Sequence, residues 1–286
     1  MTIGVTGATG HLGRLVIESL LNRGVAPPQI IAAVRNPEKA ADLAARGIQV
    51  RKADYDQPDT LGPALEGVDR LLLISSSEVG RRIPQHRNVV EAAVKAGVGY
   101  IAYTSAPKAD TTRMQLASEH RATEEIIRAS GLPFTFLRNG WYLEVYTGQI
   151  PQYLEHGAIF GSADEGRISA AARADFAEAA AAVLTGEGHE GAVYELGGDT
   201  AFTMAELAAE VTKQSGTTVV YRDMPVEAYT KVLIQAGVPE PAAAVYADVD
   251  VAIARGDLFI DSGDLHRLIG RPTTPLSDAI AAALTS

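Results

Sequence analysis

Three glycines spaced three apart, Gly7, Gly10 and Gly13, sit between an apolar run and a helical one in Thr6-Gly7-Ala8-Thr9-Gly10-His11-Leu12-Gly13. Residues of this type at this spacing cradle phosphate. Gly7 permits a tight exit from a strand, Gly10 lets backbone approach an anion with no Cβ between, and Gly13 lets the helix pack closely on the sheet. The free N–H groups at the positive helix end then face a pyrophosphate. The spacing is G-x-x-G-x-x-G, and a glycine trio also serves ordinary turns. Its position after the first strand and at the opening of the first helix favours the phosphate reading. Thr9, His11 and Leu12 lie in the same turn and are expected to touch the ligand with the glycines, although His11 can equally be a plain first-turn residue.

The end of the second strand selects the dinucleotide. An acid placed there binds ribose hydroxyls, but the chain reads Ile31-Ala32-Ala33-Val34-Arg35-Asn36. Arg35 is placed to clamp a 2′-phosphate, and Lys39 adds charge one turn later. The plainer alternative is an exposed arginine closing a strand. The missing carboxylate favours NADPH as cofactor. Ser75, Ser76 and Ser77 follow the fourth strand and Thr104 ends the fifth, where small hydroxyls can approach ribose and nicotinamide; Asp54-Tyr55 follows the third. Each also suits a turn or cap.

Elements must bring these strand ends together. Apolar runs at Ile3–Thr6, Ile30–Val34, Ile48–Arg51, Arg70–Ser75, Tyr100–Thr104 and Phe134–Leu137 alternate with helical spacing at Leu12–Arg23, Glu38–Arg46, Thr60–Glu66, Pro84–Ala96 and Leu116–Ser130. That alternation predicts an α/β fold, a Rossmann doubly wound parallel sheet. Runs such as Leu71-Leu72-Leu73-Ile74 lack polar alternation, as strands buried on both faces do. Later the pattern turns mainly helical, with strand-like pieces at Ala192–Leu196 and Thr218–Tyr221. Thr203 and Glu206 form an expected capping box for a helix through Lys213, and Asp175 is the expected cap of Phe176–Leu184. The division expected is 1–155 for the cofactor domain, to which parts of the later chain can return, and 156–286 for a smaller, mainly helical C-terminal domain that caps the substrate.

Bulk composition narrows the chemistry further. A net charge of −10 disfavours nucleic-acid partners, so a bound anion needs a local device. With no cysteine, thiolate metal sites, disulfides and a cysteine nucleophile are excluded. The six histidines show no metal-ligand spacing, so no metal is expected. No apolar run has membrane-spanning length and no signal-peptide pattern is visible, so the expected location is the cytoplasm.

Several longer segments carry a family resemblance: TGATGHLG, VRNP at Val34–Pro37, ISSSEVG at Ile74–Gly80, QHRNV at Gln85–Val89, YTS at Tyr103–Ser105, TFLRNGWYLE at Thr135–Glu144 and GHEGAVYELGG at Gly188–Gly198. Over essentially the whole chain this resembles the NmrA-like branch of atypical short-chain dehydrogenases. The resemblance implies NADPH passing hydride directly to a quinone or similar planar acceptor, or else a non-catalytic dinucleotide-binding redox sensor. Where the superfamily carries its Tyr-x-x-x-Lys pair, alignment on Glu124 puts Leu116 at the tyrosine and His120 at the lysine. Without the tyrosine acid, ketone reduction is disfavoured, whereas a hydroquinone anion can take a proton from water or a weak acid. The same alignment makes Asn139, His120 and Tyr142 the candidate catalytic groups. It lays Asn139, Gly140, Trp141 and Tyr142 along the nicotinamide half of the cofactor, with Trp141, Tyr142 and Tyr146 walling a flat acceptor. Two readings stand for His120, a group facing the nicotinamide or a histidine bonded within the fold. For Trp141 the alternative is sealing a seam between domains. His86 reads as structural, Arg173 as a ligand contact or a salt bridge, and the helix Pro84–Ala96 as a candidate homodimer face.

Overall fold

Short, β-branched segments and longer helical ones alternate through the first half of the chain, and the computed structural model, which describes residues 1–285, follows that alternation. In chain order these are β1 (Ile3–Thr6), α1 (His11–Asn22), β2 (Ile30–Val34), α2 (Ala41–Ala45), β3 (Gln49–Lys52), α3 (Leu61–Leu65), β4 (Arg70–Leu73), α4 (Arg82–Ala96), β5 (Tyr100–Ser105), α5 (Gln115–Ala129) and β6 (Phe134–Asn139). There follow α6 (Leu143–Thr147), α7 (Ile150–His156), β7 (Ala158–Gly161), α8 (Arg173–Thr185), β8 (Val193–Leu196), α9 (Met204–Ser215), β9 (Val220–Asp223), α10 (Val226–Gln235), α11 (Glu240–Ala254), α12 (Asp264–Ile269) and α13 (Leu276–Leu284).

Strands order as β3-β2-β1-β4-β5-β6-β8, and the pairings from β3 through to β6 are parallel. The order reverses direction beside β1, the switch point at which ligands enter such sheets. On one face, Leu61, Leu65, Val89, Val90, Ala93 and Ile127 pack on Leu71, Leu73, Ile101, Tyr103 and Phe136. On the other, α1 packs against α8, whose alanines at 177 and 179 to 182 are buried together with Phe176, Val183 and Leu184. Small side chains let α8 lie close to its neighbours.

The two units each draw on three stretches. The first comprises Met1–Ala109, Ser118–Asn139 and Arg173–Tyr194; the second comprises Asp110–Ala117, Gly140–Ala172 and the chain from Glu195 on. Of the later chain, Arg173–Tyr194 groups with the first unit, where α8 completes the helical layer. The second unit holds a small parallel pair, β7 beside β9, and the packed helices α10 and α11.

Several boundaries differ from expectation for local reasons. β4 stops at Leu73 rather than Ser75, because the Ile74 and Ser75 amides leave the ladder for the hydroxyls of Thr6 (3.0 Å) and Thr104 (2.9 Å). β6 runs on to Asn139, since its polar Arg138 is neutralised inside the fold by Glu124. Asp175 is not a cap: α8 begins at Arg173, so this acid stands within the first turn, where the helix dipole still favours it. The capping box is present, with Thr203 N–H donating to Glu206 (2.8 Å) and Glu206 N–H to Thr203 Oγ1 (3.1 Å). Among the described residues no helix is long and apolar enough to cross a membrane.

Candidate functional site

A cavity of about 420 Å³ opens in the first unit, lined by residues that directly follow β1, β2, β3 and β4. Gly7, Thr9, Gly10, His11, Leu12, Gly13, Arg35, Ser75, Ser76 and Ser77 all line it, together with Asp54, Tyr55, Asp56, Glu78 and Gln85. Gly7 has φ +59°, which a side chain would strain, and its carbonyl accepts the Gly10 N–H at 2.9 Å. Gly10 is the N-cap of α1, and no side chain caps that end, so its first amides stay available to an anion. A Cβ on Gly13 would lie 2.7 Å from Ala8 Cα and against the Gly7 carbonyl. That glycine therefore lets the helix close on the preceding turn, rather than on the sheet as expected.

The serine loop after β4 is pinned from beneath. Ser75 N–H donates to Thr104 Oγ1 at 2.9 Å, and Ser76 N–H donates to His86 Nε2 at 3.0 Å. Arg82 Nε donates to Ser76 O at 2.6 Å. Because His86 Nε2 accepts, its proton resides on Nδ1 and faces Thr123 Oγ1 at 2.9 Å, whose own hydroxyl donates to Glu119 O. Burial lowers the His86 ring to about 3, with Arg82 nearby adding to the effect, so it stays neutral. Glu119 meanwhile accepts from the amides of Gly80 (3.0 Å) and Arg82 (3.1 Å), capping α4 from α5. Thr104 is buried behind the loop, so it meets the cavity through Ser75.

Charges gather at the outer rim. Arg35, its side chain 70% exposed, ion-pairs with Glu78 at 2.9 Å. Arg81 bridges Glu78 and Asp56, and Gln85 Nε2 donates to the same two acids at 3.1 Å each. Gln85 Oε1 is buried and accepts from no protein donor. Lys39 is exposed and does not line the cavity; its carbonyl accepts from Arg14. The residues missed by sequence reasoning are Asp56, Glu78, Arg82, Gln85 and Glu119. Of these, Glu78, Arg82 and Gln85 fall in or beside the ISSSEVG and QHRNV segments, the only local signal they gave.

His120 is buried, with Nε2 3.3 Å from Arg82 Nη1 and Nδ1 2.8 Å from Tyr103 Oη. Arginine can only donate, so Nε2 accepts and Nδ1 carries the proton. Burial, then the charge of Arg82, holds this ring well below its ordinary value. Both nitrogens are thus committed within the fold. Glu124, the acid used to align the helix, is bidentate to Arg138 at 2.9 and 2.8 Å and accepts from Ser105 at 2.7 Å. Asn139 is buried at the end of β6. The unit boundary passes directly after it. Gly140 opens the second unit, donating to Leu196 O at 2.7 Å, and a Cβ there would come within 2.8 Å of that same oxygen. Tyr142 bridges to Ala171 in the same unit. Trp141 and Tyr146 line a separate cavity of about 430 Å³ within the second unit.

The first cavity suits a dinucleotide on its own geometry: a glycine turn too tight for side chains, an uncapped helix N-terminus, and a cation with no competing acid at the end of β2. An NAD(P)H-binding family matches residues 7–187. The chain belongs to that family. Its relatives extend the match beyond the cradle. Quinone oxidoreductase 2 of Escherichia coli (strain K12) is 53% identical over 279 residues, 98% of this chain and 97% of that one. The crystal structure of the Escherichia coli NADPH-dependent enzyme complexed with NADPH superposes with a TM-score of 0.97 at 52% identity, covering 99% and 100% of the two chains. Triphenylmethane reductase from Citrobacter sp., complexed with NADP(H), gives 0.94 at 44% identity, covering 99% and 100%. These relatives align along nearly the whole chain, as the NmrA-like resemblance implied.

Proposed function

We propose that this protein is an NADPH-dependent reductase that passes hydride directly to a quinone or a similarly planar acceptor. The observation that carries the reading is the glycine cradle on an uncapped helix end, completed by Arg35 where an NADH enzyme would place an acid. Similarity at 53% identity to a quinone oxidoreductase supports the choice of acceptor. Bound NADPH supplies the hydride, two electrons and one hydrogen nucleus. Gly7, Thr9, Gly10, His11, Leu12 and Gly13 hold its pyrophosphate on the amides of α1. Arg35 exchanges Glu78 for the 2′-phosphate, with Lys39 adding charge from outside. Ser75, Ser76 and Ser77 border the ribose, with Thr104 holding the Ser75 amide from behind.

Asn139 orients the carboxamide by hydrogen bonding, while Gly140 and Trp141 complete the nicotinamide side of the site and Tyr142 contacts the acceptor. His120 acts as a positioning residue, since a neutral ring held at both nitrogens moves no proton at neutral pH. The hydroquinone anion therefore takes its proton from solvent, which balances the reaction without a tyrosine acid. Under this reading the enzyme works in the cytoplasm, where NADPH is the reductant. The proposal includes a homodimer formed through α4, which presents Ile83 and Val94 to solvent; sedimentation measures it.

The deciding experiment follows loss of NADPH absorbance on adding a benzoquinone or naphthoquinone, with NADH, an enzyme-free blank and Arg35→Ala in parallel. Turnover above the blank that prefers NADPH, with the preference lost in Arg35→Ala, is the expected result. Tight NADPH binding with no turnover on any acceptor overturns the enzyme and leaves a dinucleotide sensor.

A further inference from the structure

One residue of the cofactor unit is placed against its own electrostatics. Arg82 is the first residue of α4, at the positive end of the helix dipole, and is 9% exposed. Among the described residues no carboxylate lies within ion-pair distance of its guanidinium. Glu119 acts on it from α5 but gives its two oxygens to the amides of Gly80 and Arg82. A cation that is buried, at a helix N-terminus and without an ion pair lowers stability on three counts. Side chains that break local rules in this way mark functional places.

The contacts of Arg82 supply the function. Nε donates to the Ser76 carbonyl at 2.6 Å, and Nη1 donates to His120 Nε2 at 3.3 Å. Neighbouring donors of one planar group thus hold the middle serine of the cofactor loop and a histidine on another helix. The Ser76 N–H is held in turn by His86 at 3.0 Å. The Tyr103 ring packs against both histidines, its centroid 5.6 Å from His86 and 5.9 Å from His120. A proton added to His120 would set a second donor against the guanidinium, and one added to His86 would face the Ser76 N–H. The charge of Arg82 opposes both additions.

We propose that Arg82 is a positioning residue for the cofactor: its guanidinium locks Ser76 and the Nδ1–H form of His120 together, so that the loop beside the dinucleotide and this histidine respond as one. The proposal rests on the dinucleotide reading of the first cavity. Around His120 stand Arg82 and His86 on α4 and Tyr103 on β5. Glu119 of its own helix acts on Arg82, while Glu124 and Tyr55 act on Tyr103. Burial pushes the Tyr103 hydroxyl up, so it stays neutral and accepts the His120 proton bond.

The test reads the imidazole nitrogens by heteronuclear NMR in NADPH-free protein from pH 8 to pH 5.5. In the wild type His86 and His120 are expected to stay neutral with the proton on Nδ1. In Arg82→Met, His120 is expected to titrate within that range, and the Kd for NADPH to rise about tenfold at pH 7.5. Arg82→Lys keeps the charge without the planar fork, so it should hold His120 neutral and recover part of the affinity. A side chain that merely packed α4 would leave the His120 proton where it is. Adding 2′,5′-ADP, which fills only the adenosine half, is expected to shift the ring signals of His120 as well as those of His86. The proposal is overturned by a wild-type His120 proton on Nε2, or by unchanged His120 signals with 2′,5′-ADP bound. An Arg82→Met protein that matches the wild type in NADPH affinity and His120 titration overturns it too. Failure of 2′,5′-ADP to bind at all sinks the dinucleotide reading, and this proposal with it. The wild-type measurements decide the matter even if Arg82→Met fails to fold.

Discussion

The two cavities are built from opposite materials. In the first unit the cradle is backbone: glycines, the amides of α1, and a loop fixed by buried Thr104, His86 and Arg82. Its rim charges are balanced in pairs, Arg35 with Glu78 and Arg81 with Asp56. In the second unit the walls are aromatic side chains, and the one buried charge among the described residues, Asp250, has no cation beside it. The first cavity is specific through shape, which a single methyl group can ruin. The second relies on surface and charge, which tolerate small changes in shape but respond to protonation.

That contrast fixes how each unit fails. Gly13→Ala is expected to be the most damaging substitution, because its Cβ meets rigid backbone at Ala8. It should destabilise the fold by about 2 kcal/mol or more and raise the Kd for NADPH about a hundredfold. Calorimetric titration and thermal melting measure both effects, and normal NADPH binding would show the turn to be softer than its geometry.

Acid should act on the units in opposite directions. His86 is lowered from 6.5 to about 3 in the folded state, so its contribution is complete above 6.5 and is lost as pH falls toward 3. About 2 kcal/mol should go by pH 5, and His120, lowered in the same sense, adds to the loss. Asp250 is raised from 3.8 to about 6, so its burden is absent below 3.8 and grows as pH rises through 6. Amide exchange at pH 7 and pH 5, corrected for intrinsic rates, should show residues 82–96 losing protection relative to residues 240–254. Parallel changes in both helices would dissolve the distinction between the units.

By the same linkage Asp250→Asn should stabilise the protein at pH 7.5 by up to about 3 kcal/mol, with the gain vanishing near pH 4. Urea unfolding across that range checks it. The mildest change belongs to the first unit. Glu78→Gln releases Arg35 from an exposed pair and should tighten NADPH binding only a few-fold, since such pairs are weak. A loss of binding instead would mean that Glu78 itself holds the loop.

How much of this was legible in the sequence follows the same division. Glycine spacing, strand ends and the absent acid after β2 are local, and the chain places ten of the expected cofactor residues around one cavity. The pinning of that cavity was not legible. Glu119 caps α4 from another helix, and His86 meets Ser76 only through the turn between them. His120 could be aligned but not located; whether its nitrogens were free depended on Tyr103 and Arg82. Asp250 gave no signal at all, being one acid among 35 acidic residues, and only packing reveals that it has no cation beside it. Likewise β7 was hidden, because its four residues show no alternation and its partner β9 lies some sixty residues away.

The return of α8 to the first unit has a consequence for biosynthesis. Nascent chains emerge from the N-terminus at a pace of roughly 5–20 residues per second. The cofactor unit therefore cannot be completed when β6 appears. It must wait several seconds, while part of the second unit is made, before Arg173–Tyr194 arrives to cover α1. During that interval the apolar flank destined for α8 is open to water and to chaperones. A ribosome paused between residues 140 and 172 would hold a Rossmann sheet whose α1 side still lacks its second helix.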